Sequence, residues 1–268
     1  MPHTDQKNKT SLLLNIGNSR TQIGLLQGAE MKYLGTFRTA SWKLENEGQL
    51  PVAIQPYSQL PCAVACVVPG IAAFLQHCYR DRESELRFIS PATVTEIDFS
   101  MVDAATIGAD RIANAAAVAD RGLIPAIVVD CGTAVTLEVI NTDKQFCGGA
   151  ILPGRMLQRR ALSKHTALLP QVPVADEPVD IPGRSTDTAI MFGIDQGMLG
   201  ALDRIIRKSL ATISPKADPK KVNIIATGGD AEFFCRHLPI LNPAPDYLTL
   251  HGLAAIARKL QEKLDSAV

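Results

Sequence analysis

The 268-residue sequence has no net charge, with 27 Lys+Arg against 27 Asp+Glu, and only 5% of its residues are aromatic. Without a basic excess it lacks the electrostatic footprint of a general nucleic-acid binder. So few rings also exclude a base-stacking platform. The six cysteines, at 62, 66, 78, 131, 147 and 235, include no CxxC pair. Cys62 and Cys66 fall in a strand-like run whose four steps span ~13 Å, beyond disulfide reach. The expectation is six small buried thiols in a reducing compartment. The histidines at 3, 77, 165, 237 and 251 show no metal-type spacing. There is neither a Walker A pattern nor GxGxxG, so the two commonest nucleotide folds are not indicated. No long hydrophobic run is present either. Residues 61–75 are apolar but contain Pro61, Pro69 and Gly70, too short and broken to span a bilayer. Residues 1–10 are polar and carry no apolar core, so the expected setting is the cytoplasm, with no membrane partner.

What is present is a globular composition, 46% hydrophobic and 20% charged. At ~150 residues per domain the length suggests two domains. Strand-like runs occur at residues 11–17 (SLLLNIG), 21–26, 63–68 (AVACVV), 123–129 (LIPAIVV), 135–140 and 222–226. Helical patterns cover residues 107–119, 188–210, a stretch from Ala231 and residues 252–264. The helix at 188–210 offers Ile194, Met198, Leu202 and Ile205 to a core. Its Gly193, Gly197 and Gly200 weaken a helix unless another backbone approaches closely, within the chain or across a dimer. Residues 171–187 hold Pro173, Pro178 and Pro182 and read as a loop, while 214–221 reads as a surface turn.

A weak repeat organises the chain. LLLNIGNSRTQIGLL and IVVDCGTAVTLEVI share an apolar strand, Asn or Asp, one residue, Gly, polar residues and a second strand. Asn15 aligns with Asp130, Gly17 with Gly132, Asn18 with Thr133 and Thr21 with Thr136, close to half the chain length apart. This predicts a duplicated α/β fold. A hairpin with Gly at its tip lets backbone N–H groups approach an anion, and Ser19, Thr133 and Thr136 add hydroxyls. Either hairpin alone also reads as an ordinary tight turn. Thr227-Gly228-Gly229-Asp230 joins a strand to a helix. Its glycines admit the flat face of a nucleoside, or the segment is only a turn with Asp230 capping the helix. Gly108-Ala109-Asp110-Arg111 opens an alanine-rich helix. Asp110 there is either a favourable partner of the helix dipole or a general base, with Arg111 as an anion fork.

Taken together these residues resemble the type III pantothenate kinases, of the duplicated actin-like ATPase superfamily. NIGNSRTQIG is similar to the family's first phosphate motif, CVVP to its Val-Val-Pro strand end, GADRIANAAA to its GADR helix and VVDCGTAVT to its second phosphate motif. GGAILPG, HTALLPQV, GRSTDTAIMFG, IATGG and YLTLHGL follow in the expected order. The resemblance implies two actin-like (ribonuclease H-like) α/β domains with mixed sheets and ATP bound in a cleft between them. The expected organisation is a tail at 1–10 and domains at 11–122 and 123–268. The implied reaction is ATP-dependent phosphorylation of pantothenate, the first step of coenzyme A biosynthesis, by a homodimer.

By the same resemblance Asp110 is the catalytic base. Met101, Gly108, Ala109, Asp110, Arg111 and Thr186 contact pantothenate. Asn15, Ile16, Gly17, Asn18, Ser19, Arg20, Thr21, Gln22, Thr133, Gly228 and Gly229 bind ATP with Mg2+, and Asp130 binds a monovalent cation, K+ or NH4+. Two motifs depart from the family pattern. Asn15 stands where a magnesium-orienting Asp is usual, and its amide supplies no negative charge. Met101 and Ala104 replace a Tyr and a Pro ahead of GADR. Two alternatives therefore share the fold: a catalytically weakened nucleotide-binding accessory protein, and a kinase for another small hydroxylated acceptor.

Overall fold

The computed structural model describes residues 10–42, 49–213 and 221–266. The expected tail, except Thr10, and the expected surface turn at 214–221, except Lys221, lie outside the described residues. The chain divides into two compact units. The first runs to Gly122 and resumes at Tyr247, and the second covers Leu123–Asp246.

In the first unit β1 (Thr10–Ile16), β2 (Arg20–Gln27) and β3 (Glu30–Arg38) form an antiparallel meander. β4 (Cys62–Cys66) and β5 (Leu86–Phe88) then add in parallel on the far side of β1, giving the order β3-β2-β1-β4-β5. The central strands are the apolar runs. Leu12, Leu14, Ile16, Ile23 and Val64 enter one core with Trp42, Ile71 and Leu75. Helix α1 (Pro69–Cys78) begins at the Pro69-Gly70 that stops β4, with proline in its first turn, where its missing N–H removes no bond. Helix α2 (Ala109–Asp120) is buried from Ile112 to Val118. Its small side chains let neighbouring elements pack closely.

The second unit repeats this arrangement. β6 (Ala126–Cys131), β7 (Ala134–Ile140) and β8 (Phe146–Pro153) are antiparallel, and β9 (Asn223–Thr227) and β10 (Asn242–Pro243) join in parallel. Read from its other edge, the sheet has the order β8-β7-β6-β9-β10, the same topology as the first. Helices α3 (Arg155–His165), α4 (Thr186–Ile213) and α5 (Ala231–His237) accompany it. Residues 171–185 form no helix or strand, as the prolines predict. On α4 the buried stripe is Ile190, Ile194, Met198, Leu199, Leu202 and Ile206, so Ile206 takes the position expected of Ile205.

The final helix, α6 (Leu248–Ser266), corrects the expected second domain at 123–268, because it belongs to the first unit. Its buried Leu250, Leu253, Ala254 and Ile256 are covered there, largely by α2. The Thr249 hydroxyl donates to Asn114 Oδ1 at 2.8 Å, and Arg258 pairs with Asp120 at 2.8 Å. A run of residues at the chain end carries no signal of which sheet its apolar face covers. The six cysteines are free thiols, Cys62 and Cys131 buried and the other four half-buried, so the expectation of six buried thiols holds fully for two. Burial pushes the Cys62 and Cys131 thiols far above their usual range.

Candidate active site

The β1–β2 hairpin is held at its tip by side chains. Gly17 N–H donates to Arg20 C=O at 3.0 Å, closing the turn. Thr39 binds two carbonyls of the tip: its N–H donates to Ser19 C=O at 3.0 Å and its hydroxyl to Gly17 C=O at 2.7 Å. With that proton committed, the Thr21 hydroxyl donates to Thr39 Oγ1 at 3.2 Å and itself accepts from Trp42 Nε1–H at 3.0 Å. The result is a buried relay, Trp42 to Thr21 to Thr39 to the turn carbonyl. Thr21 and Ile16 are completely buried. The Thr21 hydroxyl is thus enclosed and the Ile16 side chain faces the core, so neither side chain is exposed at the tip. Asn18, Ser19 and Arg20 are exposed at the tip. Asn15 and Gln22 face each other across the strands, Asn15 Nδ2 donating to Gln22 Oε1 at 2.9 Å.

The second hairpin is one residue shorter. Its turn closes from Gly132 N–H to Ala134 C=O at 3.1 Å. Asp130 pairs with Thr136 where Asn15 pairs with Gln22, and Cys131 pairs with Val135 where Ile16 pairs with Thr21. The alignment of Thr21 with Thr136 is therefore out of register. Val135 is the true counterpart of Thr21, and Thr136 that of Gln22. A slip of one residue turns a strand side chain to the opposite face, which is why one threonine is buried and the other half-exposed.

Backbones rather than side chains brace this second tip. Gly154 N–H donates to Thr133 C=O at 2.9 Å, and a Cβ on Gly154 would lie 2.5 Å from Gly132 O and 2.6 Å from Thr133 O. Only glycine fits there. From the other side, Asp230 N–H donates to Cys131 C=O at 3.0 Å. Gly228, at φ +94°, lies so close that a Cβ would stand 2.6 Å from Asp130 Oδ1. The structure thus brings Asp130, Gly132, Thr133, Gly228 and Gly229 into one locality. Asp230 is the residue before α5, but its side chain makes no cap hydrogen bond to that helix, against the turn-and-cap reading.

Asp110 lies in the first turn of α2, preceded by Gly108 as its N-cap. Its Oδ1 accepts Arg111 N–H at 2.8 Å. Burial raises its carboxyl pKa above the usual range, opposed by that N–H and by the Arg111 charge. A carboxylate so tuned is a better proton acceptor than a solvated one. A Cβ on Gly108 would come 2.7 Å from Asp110 Oδ1, so glycine leaves the room the carboxylate occupies. Met101 is exposed ahead of this helix, after β5 in the first unit. Thr186 opens α4, exposed and outside the reciprocal Ser185–Thr188 bonds that cap it. Gly193, Gly197 and Gly200 are exposed, with open space where a Cβ would stand. Among the described residues, no cluster of three His, Cys, Asp or Glu side chains suits a metal ion.

The sequence reading missed a buried ionic cluster in the second unit. Arg155 Nε donates to Asp195 Oδ1 at 2.9 Å, and Arg159 Nη2 donates to both Asp195 oxygens, at 3.0 and 2.9 Å. All three side chains are at most 1% exposed. The available signal was Asp195 itself, a charge between Ile194 and Met198 in an apolar stripe, with two arginines one helical turn apart on α3.

The sequence matches the family profile of type III pantothenate kinases over residues 11–208. Type III pantothenate kinase of Geobacillus kaustophilus is 34% identical over 94% of this chain and 98% of its own length. That of Geobacillus thermodenitrificans is 33% identical over the same shares. Among solved structures, a Campylobacter jejuni protein described as a Baf family transcriptional activator is similar with a TM-score of 0.60 at 19% identity, over 94% of this chain and 99% of its own. MreB 5 of Spiroplasma citri, solved with AMPPNP, is similar with a TM-score of 0.51 at 9% identity over the whole of both chains. These two likenesses concern the fold, which is the duplicated actin-like one. The profile match and the full-length relatives go further: this chain belongs to the type III pantothenate kinase family.

Proposed function

We propose that this chain transfers the γ-phosphoryl group of ATP to the primary hydroxyl of pantothenate, the first step toward coenzyme A. The observation that carries the reading is a half-buried, pKa-raised Asp110 at the start of α2 in a chain of this family. In the reaction the hydroxyl oxygen bonds to the γ-phosphorus, its proton passes to the Asp110 carboxylate, and ADP leaves. Such transfers depend on positioning and charge neutralisation more than on covalent chemistry. Arg111 offers a planar fork to the substrate carboxylate. Gly108 and Ala109 form the adjoining backbone, and Met101 and Thr186 are the remaining pantothenate contacts of this reading.

For ATP, this reading assigns the phosphates to the two turns, whose exposed residues are Asn18, Ser19 and Arg20 in the first and Gly132 and Thr133 in the second. Gly228 and Gly229 lie beside the second tip as the nucleoside surface. Magnesium enters with ATP and takes oxygen ligands from phosphate and water. In this reading Asn15 and Gln22, paired at 2.9 Å, would hold such water through their amide groups. A potassium or ammonium ion on Asp130 would add positive charge beside the second tip, and the carboxylate at a glycine-lined turn suits a weakly held cation. The assembly in this reading is a homodimer, and the exposed glycine stripe of α4 supports it, because no close partner within the described residues explains those glycines. A monomer by light scattering would overturn the assembly.

The test is ADP release from purified protein with ATP, magnesium, potassium and pantothenate. Pantothenate-dependent turnover that falls ~10²–10⁴-fold in Asp110→Asn supports the reading. Turnover indifferent to pantothenate points to another acceptor, and nucleotide binding without turnover to an accessory protein. A second readout is stability. Because the folded-state pKa of Asp110 is raised, the ionised carboxylate disfavours folding above that pKa. Asp110→Asn is therefore expected to be more stable than the parent at neutral pH. That advantage shrinks as pH falls through the raised folded pKa and is gone below the unfolded one. An advantage independent of pH would contradict it.

A further inference from the structure

The Arg155 side chain joins several elements around the second hairpin. It is the first residue of α3 and follows Gly154, whose N–H holds Thr133 C=O at 2.9 Å. Nε binds Asp195 on α4 at 2.9 Å, and Nη2 donates to Ala175 C=O at 2.6 Å in the extended segment between α3 and α4. The flat face of the guanidinium lies 3.4 Å from the ring centre of Phe233. Phe233 belongs to α5, the helix that begins after the Gly228–Gly229 turn. Its rim borders a cavity of about 150 Å3 shared with Gly229, Asp230 and Phe233. Arg159 completes the cluster, adding its bonds to Asp195 and one from Nε to Pro173 C=O at 3.1 Å.

Burying two guanidiniums against one carboxylate is unfavourable unless every donor is satisfied. Three apolar side chains would fill this space at less risk. A planar cation offers what they do not: several directed bonds and a stacking face at fixed angles. Here those directions lead to α4, to the 173–175 segment and to α5, while the residue's own backbone continues into Gly154. One side chain therefore sets the distance between the two backbones that brace the hairpin, Gly154 on one side and Gly228 on the other.

We propose that Arg155 is a positioning residue for the ATP-phosphate site of the second unit. Its side chain is 1% exposed and directs its bonds to Asp195 and Ala175. It holds Gly154 and the Gly228–Gly229 turn at the separation that fixes the shape of the Gly132–Thr133 turn between them. The inference rests on the reading of this hairpin as part of the ATP site.

The experiment compares Arg155→Lys, Phe233→Leu and, as a control, Ile206→Ala in the same core. Each is measured for its thermal midpoint, its Kd for ADP without turnover, and its KM for ATP and for pantothenate. Lysine keeps the charge but loses the fork and the stacking face, so the expectation is an ATP KM and an ADP Kd raised about tenfold, with pantothenate KM within twofold. Phe233→Leu keeps apolar bulk and is expected to raise both nucleotide constants about threefold. Ile206→Ala, with a comparable fall in midpoint, is expected to leave them unchanged in the folded protein. Nucleotide constants within 1.5-fold of the parent in folded Arg155→Lys overturn the proposal, as does an equal rise in Ile206→Ala. Should Arg155→Lys not fold, Phe233→Leu decides by the same threshold. A parent protein that binds ADP but does not turn over pantothenate defeats the kinase reading alone, and the ADP constants still judge Arg155. A parent that does not bind ADP overturns both.

Discussion

The two hairpins occupy the same place in two sheets of the same strand order, yet they are braced by different chemistry. In the first, a relay of side chains from Trp42 through Thr21 and Thr39 ends on the Gly17 carbonyl. In the second, backbones at Gly154 and Gly228 press on the turn, with the Arg155–Asp195–Arg159 cluster bound to the elements that carry them. The shared topology fixes where a turn lies. What holds it is settled locally, by whichever neighbours reach it. The first turn has an extra residue and a long meander strand leading to Thr39, so hydroxyls reach it. The second is tighter and flanked by two glycine junctions, so main chain fits against it.

The largest test of this contrast is Asp195→Asn. Removing the single carboxylate between two buried guanidiniums should lower stability by ~3–5 kcal/mol. Denaturant unfolding with probes in each half would show the second unit lost first. Loss of both units together would break the comparison by showing that their supports are not separate. Gly228→Ala comes next. A side chain at φ +94° against Asp130 should reduce stability by roughly 1–3 kcal/mol and raise ATP KM severalfold. An unchanged ATP KM in folded protein would remove the Gly228–Gly229 turn from the site.

Thr21→Val sharpens the register correction. It leaves the buried Trp42 Nε1–H without its acceptor and should cost ~1–3 kcal/mol with ATP KM unchanged. Thr136→Val, opposite Asp130, should do the reverse, altering stability by less than ~0.5 kcal/mol but raising ATP KM. Matching effects from the two would restore the alignment that the strand pairing rejects. The smallest expected change is in Asn15→Asp. A carboxylate there should lower the magnesium concentration for half-maximal rate about twofold to fivefold, by adding charge near the metal's water shell. A requirement that does not move would mean that the Asn15–Gln22 pair already does what the carboxylate does.

Much of this was legible in the sequence, for identifiable reasons. The central strands β1, β4, β6 and β9 are buried on both faces and read as continuous apolar runs. β3 was missed because it lies at a sheet edge with no buried residue, and β8 because it carries two glycines and a proline. The motif GADR placed Asp110 at a helix start, where the structure has it. What no motif conveyed was the environment: that burial raises the Asp110 pKa, or that Thr21 is enclosed while its apparent counterpart is not. Register depends on turn length, and a one-residue difference is invisible in an alignment that allows no gap.

The sequence by itself determined the duplicated α/β architecture, the two glycine-tipped turns and the family, because these follow from local periodicity and from residues close along the chain. The tertiary structure alone decided that α6 completes the first unit, that Thr21 turns inward, and that Arg155, Asp195 and Arg159 meet. Each of those depends on contacts between segments tens to hundreds of residues apart. Such contacts are set by which apolar faces and buried charges find partners, and neighbours in sequence carry no record of that choice.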